Sequence, residues 1–352
     1  MRREDNRPRR ADSSDVAVRA GVSRSTVSKV LNGRETDRIP PDTRQRVLQA
    51  ARELNYVRNN RAHALVTGRT QRIGVALNHP DGFRRQGDYH RAVLEGVFAG
   101  AVECNHNLLF HAAHHPDWRA LYTDIVGGSA DGVLLVGSHP DDELAPALIE
   151  SGFPAVFLSH TPLARDSEER LRCHVVDCDN VEAGRLVAAH LIQLGHRHIA
   201  FAIEMSSPRI TDWQHDRIHG IREFLDRSGS QCRLDILFAQ GATETVRQAL
   251  RLRPTALILT NDGISQEVLN GLQAQHIRVP QDMSVINFNS TENCRRATVP
   301  LTSVWQPLHE IGLCAMQRVV SILSGEIIEP EVTRFPVRLD VRQSTGPSPR
   351  LP

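Results

Sequence analysis

Asp15-Val-Ala-Val-Arg-Ala-Gly-Val-Ser-Arg-Ser-Thr-Val-Ser-Lys-Val-Leu-Asn32 decides how the first part of this 352-residue chain folds. Val16, Ala17 and Ala20 fall on one face of a short helix. Gly21 follows where that helix must end and turn, because glycine enters the left-handed region without a steric penalty. Ser23 then stands at the cap of a second helix. Val27, Val30 and Leu31 recur at helical spacing and form that helix's buried stripe. Two short helices joined by a glycine turn make a helix-turn-helix. A third helix is expected from Pro41-Asp42, since proline suits a first helical turn and Asp42 complements the dipole there. Val47, Leu48, Ala51 and Leu54 would be its apolar stripe, closing a core that two helices cannot enclose alone.

The charge distribution agrees with this reading. Net charge is +1, but residues 1–70 carry 16 Lys+Arg against 8 Asp+Glu, or +8, and the remainder carries 1 − 8 = −7. A basic head on an acidic body points to a polyanionic partner for the head alone. The second helix offers Arg24, Ser25 and Lys29 for base edges. It offers Ser23, Thr26, Ser28 and Asn32 for phosphates, which position a reader without specifying sequence. Lys29 is the only lysine in the chain, a small sign that a compact ammonium suits that site better than a planar guanidinium.

The motif Asp15-Val-Ala-x-x-Ala-Gly-Val-Ser-x-x-Thr-Val-Ser-Lys-Val-Leu-Asn32 resembles the opening signature of the lactose-repressor (LacI/GalR) family. So do Thr43-Arg44, Leu54-Asn55-Tyr56 and Asn59-x-x-Ala62-x-x-Leu65. The resemblance implies a hinge helix that enters the minor groove, with Asn59 and Ala62 along its wall and Leu65 wedged at the operator centre. It implies a homodimer on approximately palindromic double-stranded DNA.

Beyond about residue 70, short apolar runs alternate with helical patterns, as in parallel sheets covered on both faces. Ile73–Leu77, Leu108–Phe110, Gly132–Val136 and Ala155–Leu158 form one strand series, with a helix around Tyr89–Cys104 between the first two. Val175-Val176, His198–Ile203, Ile236–Phe238, Thr255–Thr260 and Ser284–Phe288 form a second. The family resemblance continues through Asp179-Asn180, Ala183-Gly184, Arg217-x-x-Gly220, Asn261-Asp262, Pro300-Leu-Thr-Ser-Val-x-Gln306 and Gly312. It implies a two-lobed sensor like the periplasmic sugar-binding proteins, with a small, sugar-like effector in the cleft and three crossings between lobes, near 160, 304 and 328. The expected fold is therefore α/β: an all-α helix-turn-helix head over 1–58, with 1–13 disordered, a hinge at 59–69, and an effector-binding domain over 70–346. Its first lobe would hold about 70–160 and 305–328, its second about 161–304 and 329–342.

Ligands of open parallel sheets sit beyond the carboxyl ends of the strands. That position is occupied by Asn78, Ser138, Ser159, Asn261 and Asn289. The resemblance adds Arg217 as the effector arginine, and Asn261 and Gln306 as ligand positions. Trp213, four residues before Arg217, is equally suited to stacking on a sugar and to core packing. Where the family often carries aspartate, this chain has Asn289, an amide that both donates and accepts. An effector more anionic, or poorer in donors, is expected from that change.

Other classes fit less well. No G-x-S-x-G, P-loop or HExxH supports an enzyme. His106, His111, His114 and His115 read as a solvent-exposed loop cluster, not a metal site, and no cofactor is expected. Cys104, Cys173, Cys178, Cys232, Cys294 and Cys314 form no CxxC pair and read as reduced thiols. No run approaches the ~18 apolar residues of a membrane helix, and Met1–Ser14 lacks the apolar core of a signal peptide. A periplasmic-type binding protein without DNA function would need the reverse of this head, so a cytoplasmic regulator, most simply a repressor, is the expectation.

Overall fold

The computed structural model describes residues 11–31, 38–57, 64, 67–77, 87–112, 115, 117–137, 143–158, 172–204, 210–260, 262–326 and 329–349. Two compact units divide at Thr70 and Gln71.

In the first unit, α1 (Ser13–Ala20), α2 (Arg24–Leu31) and α3 (Pro41–Glu53) enclose Val16, Ala17, Ala20, Val27, Val30, Val47 and Ala50. Leu31, Leu48, Ala51 and Leu54 pack half-buried around that cluster. Gly21 closes α1 at φ +66. Ser23 Oγ accepts from Thr26 N at 3.2 Å, capping α2. The expected disorder over 1–13 does not hold at its end. Asp12 is the N-cap of α1, its carboxylate accepting from Ser14 N at 2.7 Å, while Asp15 returns a carboxylate to Asp12 N at 2.8 Å. Two such reciprocal bonds satisfy donors that a helix start leaves without intrahelical partners. Residues 1–10 lie outside the described residues. Arg19 of α1 pairs with Glu53 of α3 at 2.6 Å and ties the first helix to the last.

The second unit is built on two six-stranded sheets among the described residues. The first contains β1 (Arg72–Leu77), β2 (Asn107–Phe110), β3 (Gly132–Val136), β4 (Ala155–Leu158), β5 (His174–Cys178) and β11 (Val332–Phe335), ordered β11-β5-β4-β3-β1-β2, and every pairing is parallel. The second contains β6 (His198–Glu204), β7 (Arg233–Ala239), β8 (Ala256–Leu259), β9 (Ser284–Asn289), β10 (Thr302–Trp305) and β12 (Arg338–Asp340), ordered β12-β10-β9-β8-β6-β7. Only β12 runs antiparallel there. Apolar side chains cover both faces of each sheet, which is why β3, β8 and β9 are buried along their whole length.

The helices α4 (Gly87–Glu103), α5 (Trp118–Val126), α6 (Leu144–Glu150) and α12 (Leu308–Leu323) belong to the first lobe. The second carries α7 (Asn180–Gln193), α8 (Asp212–Arg227), α9 (Gly241–Leu252), α10 (Ser265–Ala274) and the short α11 (Glu292–Arg296). α7 and α8 touch backbone to backbone: a Cβ on Gly220 would lie 2.9 Å from the Val181 carbonyl carbon and closer to its oxygen.

The lobe limits differ from those expected. β5 pairs with β4, Val156 facing His174, so 174–178 belongs to the first sheet and not to the second. β11 pairs with β5, so 332–335 belongs there too. The chain therefore crosses between lobes at 178–180 and 335–338 instead of near 160 and 328, while the crossing expected near 304 falls at 305–308. The physical reason is that a short run such as Val175-Val176 shows it is a strand but carries no mark of its partner; long-range pairing decides the sheet.

Candidate functional site

In the head, α2 buries Val27 and Val30 and turns Arg24, Ser25, Ser28 and Lys29 to the surface, with Thr26 half-buried. Ser23 Oγ lies 2.8 Å from Ser25 Oγ and 2.9 Å from Thr26 Oγ1, a hydroxyl cluster at the first turn. An Arg24 guanidinium nitrogen reaches Ser13 Oγ at 3.4 Å. With its Ser23 cap, the surface of α2 thus combines two cations with four hydroxyls and no carboxylate. Asn32, Asn59, Ala62 and Leu65 lie outside the described residues. Just beyond them, Gly68 N donates to Ala64 O at 2.8 Å.

In the body, the strand ends of the two sheets bring together a polar cluster. Arg217, near the start of α8, is only 4% exposed. Its Nε donates to Asn180 Oδ1 at 2.9 Å and a terminal nitrogen donates to Thr260 O at 2.7 Å. Its guanidinium carbon stands 4.0 Å from the Phe288 ring centre and 4.5 Å from that of Trp213. The buried cation is thus held by two acceptors and sandwiched by two aromatic faces. Trp213 therefore packs on Arg217 and keeps part of its surface open.

Asn289 sits at the end of β9 with φ +87, a left-handed conformation that asparagine tolerates better than most residues. Its Nδ2 donates to Asp262 Oδ1 at 2.9 Å, and its Oδ1 accepts from Gln306 Nε2 at 3.0 Å. Thr291 Oγ1 donates to the other Asp262 oxygen. Burial pushes the Asp262 carboxyl up, against the bonds from Thr291 and Asn289 that pull it down. Asp262 thus places a carboxyl group beside Asn289.

From the first lobe, Asp177 enters at the end of β5. Its Oδ2 accepts from Asn180 Nδ2 at 3.0 Å and its Oδ1 from Cys178 N at 2.7 Å. Burial raises its carboxyl to about 7, Arg217 opposing that rise. At the opening of α4, Asp88 Oδ2 accepts from Asn293 N of the second lobe at 3.1 Å. Asn78, Ser138, Ser159 and Asn261 fall outside the described residues.

Sequence reasoning singled out Arg217 and Trp213, which pack on each other, and Asn289 and Gln306, which share a hydrogen bond. It passed over Asp177, Asn180, Thr260 and Asp262. Asn180 and Asp262 stood inside quoted motifs without a role, and only proximity in space reveals one. The histidine loop behaves differently from the cleft: His111 Nδ1 lies 2.7 Å from Asp124 Oδ2, and His115 Nε2 lies 3.4 Å from the same oxygen. Among the described residues no helix is long and apolar enough to cross a membrane.

Comparison with known proteins agrees with this architecture. Residues 14–59 match the model of bacterial regulatory proteins of the lacI family, and residues 188–345 match a periplasmic binding protein-like domain. The HTH-type transcriptional regulator CelR of Thermobifida fusca is 30% identical over 347 residues, covering 96% of this chain and 99% of the relative. A solved complex of the transcriptional regulator CelR with cellobiose is 28% identical. It covers 95% of this chain and 100% of its own at a TM-score of 0.70. The lac repressor dimer bound to operator and an anti-inducer has the same fold, at 23% identity and a TM-score of 0.79 over 96% of this chain and 100% of that one. With its three-helix head, its two parallel-sheet lobes and a relative of this identity aligned end to end, the chain belongs to the lacI family of bacterial regulatory proteins, the DNA-binding regulators of transcription.

Proposed function

We propose that this regulator is a cytoplasmic repressor: a homodimer that binds an approximately palindromic operator and responds to a neutral, sugar-like effector held between the lobes. The observation that carries the reading is Arg217, a nearly buried guanidinium held by Asn180 and Thr260, with the linked side chains of Asp262, Asn289 and Gln306 at or just past the ends of β8, β9 and β10. A preorganised arginine with amide and carboxyl neighbours suits vicinal hydroxyls, which both donate and accept. Trp213 offers a partly open aromatic face beside it. In this reading Arg217, Trp213, Asn289 and Gln306 contact the effector together with Asn78, Ser159 and Asn261. Arg24, Ser25 and Lys29 address base edges. Ser23, Thr26, Ser28 and Asn32 address phosphates. Asn59, Ala62 and Leu65 enter the minor groove. The cellobiose complex of a relative supports a sugar as the effector class, and the operator complex of the lac repressor supports DNA as the partner.

The test is calorimetry with a panel of neutral mono- and disaccharides that begins with cellobiose, run beside operator binding. Arg217→Ala abolishes effector binding and leaves operator affinity near that of the parent, because head and body are separate compact units. Effector affinity unchanged in Arg217→Ala overturns the cleft assignment.

A further inference from the structure

Arg217 does not meet a carboxylate directly. Its Nε donates to Asn180 Oδ1 at 2.9 Å, and the same amide donates through Nδ2 to Asp177 Oδ2 at 3.0 Å. Asn180 is 3% exposed and has no room to turn its amide over without placing donor against donor. The three side chains come from three elements. Asp177 ends β5 of the first lobe, Asn180 opens α7 just past the crossing, and Arg217 lies on α8 of the second lobe. The relay therefore spans the first crossing between lobes.

We propose that Asp177 is the positioning residue of the effector arginine: acting through Asn180, it sets where the Arg217 guanidinium stands and whether the floor of the cleft is neutral or positive. This inference rests on reading the cleft as the effector site and adds a proton dependence to it. With Asp177 ionised, its charge compensates Arg217 and polarises the Asn180 amide in the sense that strengthens the bond to Nε. With Asp177 protonated, Arg217 is left as an uncompensated buried cation, held by neutral acceptors and by the faces of Phe288 and Trp213.

The surroundings explain why this carboxyl titrates near neutrality. Burial raises it to about 7. Asp216, on α8, pushes the same way, and Arg217 and the Cys178 backbone pull it down. Cys178 on its own strand is buried, its thiol pushed well up, first by burial and then by the Asp177 charge. On the neighbouring strand β11, Arg334 is the register partner of Asp177, with an exposed side chain. From the first lobe, the Tyr89 hydroxyl of α4 acts on Arg217.

The arrangement supplies its own reporter, because Trp213 stacks on Arg217. Trp118 and Trp305 are the other two tryptophans. In the full-length chain carrying Trp118→Phe and Trp305→Phe, Trp213 emission reads the position and charge of the guanidinium without any effector. The expected result is an emission change with a midpoint at about pH 7, absent in the same background with Asp177→Asn, which keeps the shape and an acceptor oxygen but cannot ionise. Asn180→Ala leaves the carboxyl in place and breaks the relay, so the amplitude falls even though Asp177 still titrates. Melts followed by circular dichroism show that each variant is folded. A titration that persists unchanged in Asp177→Asn, or an emission flat from pH 5 to pH 9 in the folded parent background, overturns the proposal. Neither result depends on finding the effector, and the effector reading fails separately, through Arg217→Ala.

Discussion

Replacing Gly220 by alanine tests whether the α7–α8 contact positions the cleft. A Cβ at 220 would stand 2.9 Å from the Val181 carbonyl carbon and 3.1 Å from Arg185 N, with the Val181 oxygen nearer still. Gly184 on the facing helix is as tight, 2.9 Å from the Arg217 carbonyl carbon and 3.0 Å from Ile221 N. Relief cannot come from a rotamer, because the opposing atoms are backbone. Carbon atoms settle at about 3.5–4.0 Å, so the helices must part by about 1 Å. That motion takes the 2.9 Å bond between Arg217 Nε and Asn180 Oδ1 out of hydrogen-bond range, since the partners sit on the two helices that separate. Overpacking of this kind costs about 1–3 kcal/mol, and a bond to a charged donor adds about 1.5–3 kcal/mol where it is lost. A destabilisation of about 3 kcal/mol is the expected sum after partial relaxation. All three tryptophans lie beyond residue 70, so urea unfolding followed by their emission reports the body alone. At a slope of about 3 kcal/mol/M the midpoint drops by about 1 M with the slope unchanged. Effector affinity falls with it. A Gly220→Ala protein with the parent's midpoint and effector affinity would refute the claim that this crossing holds Arg217 in place.

Asp12→Ala removes the side-chain acceptor for Ser14 N and Asp15 N, leaves the Asp15 carboxylate on the residue 12 backbone N–H, and lowers the stability of the head by about 1 kcal/mol; the first phase of a circular-dichroism melt shifts while tryptophan emission does not, and an unmoved head transition counts against the cap. Arg24→Ala flattens base preference at one or two positions of each half-site, by about 1–3 kcal/mol, in competition binding with permuted operators; an unchanged preference removes Arg24 from the readout. Asp177→Asn changes the dependence of body stability on pH. The folded carboxyl stands at about 7, above its ordinary 3.8, so the parent loses stability as pH rises through that window and the amide variant does not. The two proteins converge below pH 4, and at pH 8 the variant is more stable, by at most about 4 kcal/mol. A variant less stable than the parent at pH 8 contradicts the raised carboxyl.

The head was legible because its signals are local. Val16, Ala17, Ala20, Gly21, Val27 and Val30 lie within fifteen residues, and helical spacing alone turns them inward. The cap at Asp12 lies ahead of the first apolar residue, where helical spacing gives no signal, and only its spacing to Asp15 three residues on marks a reciprocal cap. In the body, the strands β3 and β4 were read to the residue, since continuous apolar runs between polar segments leave little choice. Their assignment to sheets was not legible where strands are short. β5 and β11 pair across more than 150 residues, and nothing in His174–Cys178 distinguishes an edge partner of β4 from the start of the next sheet. The cleft divides along the same line. Arg217 and Gln306 were accessible through motif spacing, whereas Asp177 reads from its neighbours as an ordinary alternating position on a strand. Its meaning comes from Asn180 and Arg217, and α8 begins more than thirty residues after it.

The placement of the cleft residues on the crossings has a mechanical consequence. Asp177 and Asn180 flank the first crossing, at 178–180, and Gln306 lies within the second, between Trp305 and Leu308. Gln306 is bonded to Asn289, and Asn289 to Asp262, so the second crossing is tied to the ends of β8 and β9 by one chain of side chains. A hinge between lobes moves by changing backbone angles in a few residues at such crossings. In the proposed reading, Gln306 and the Arg217 partner Asn180 lie on these crossings as well. An effector that takes a hydrogen bond from Arg217 alters the load on Asn180, and one that displaces the Gln306–Asn289 bond frees the 305–308 segment. On the proposed assignment, binding and lobe geometry would be coupled by short covalent distances rather than by a long path through either core. The direction of the coupling follows from differential contact: an effector that bonds Arg217 of the second lobe and Asp177 of the first favours whichever lobe arrangement lets it reach both.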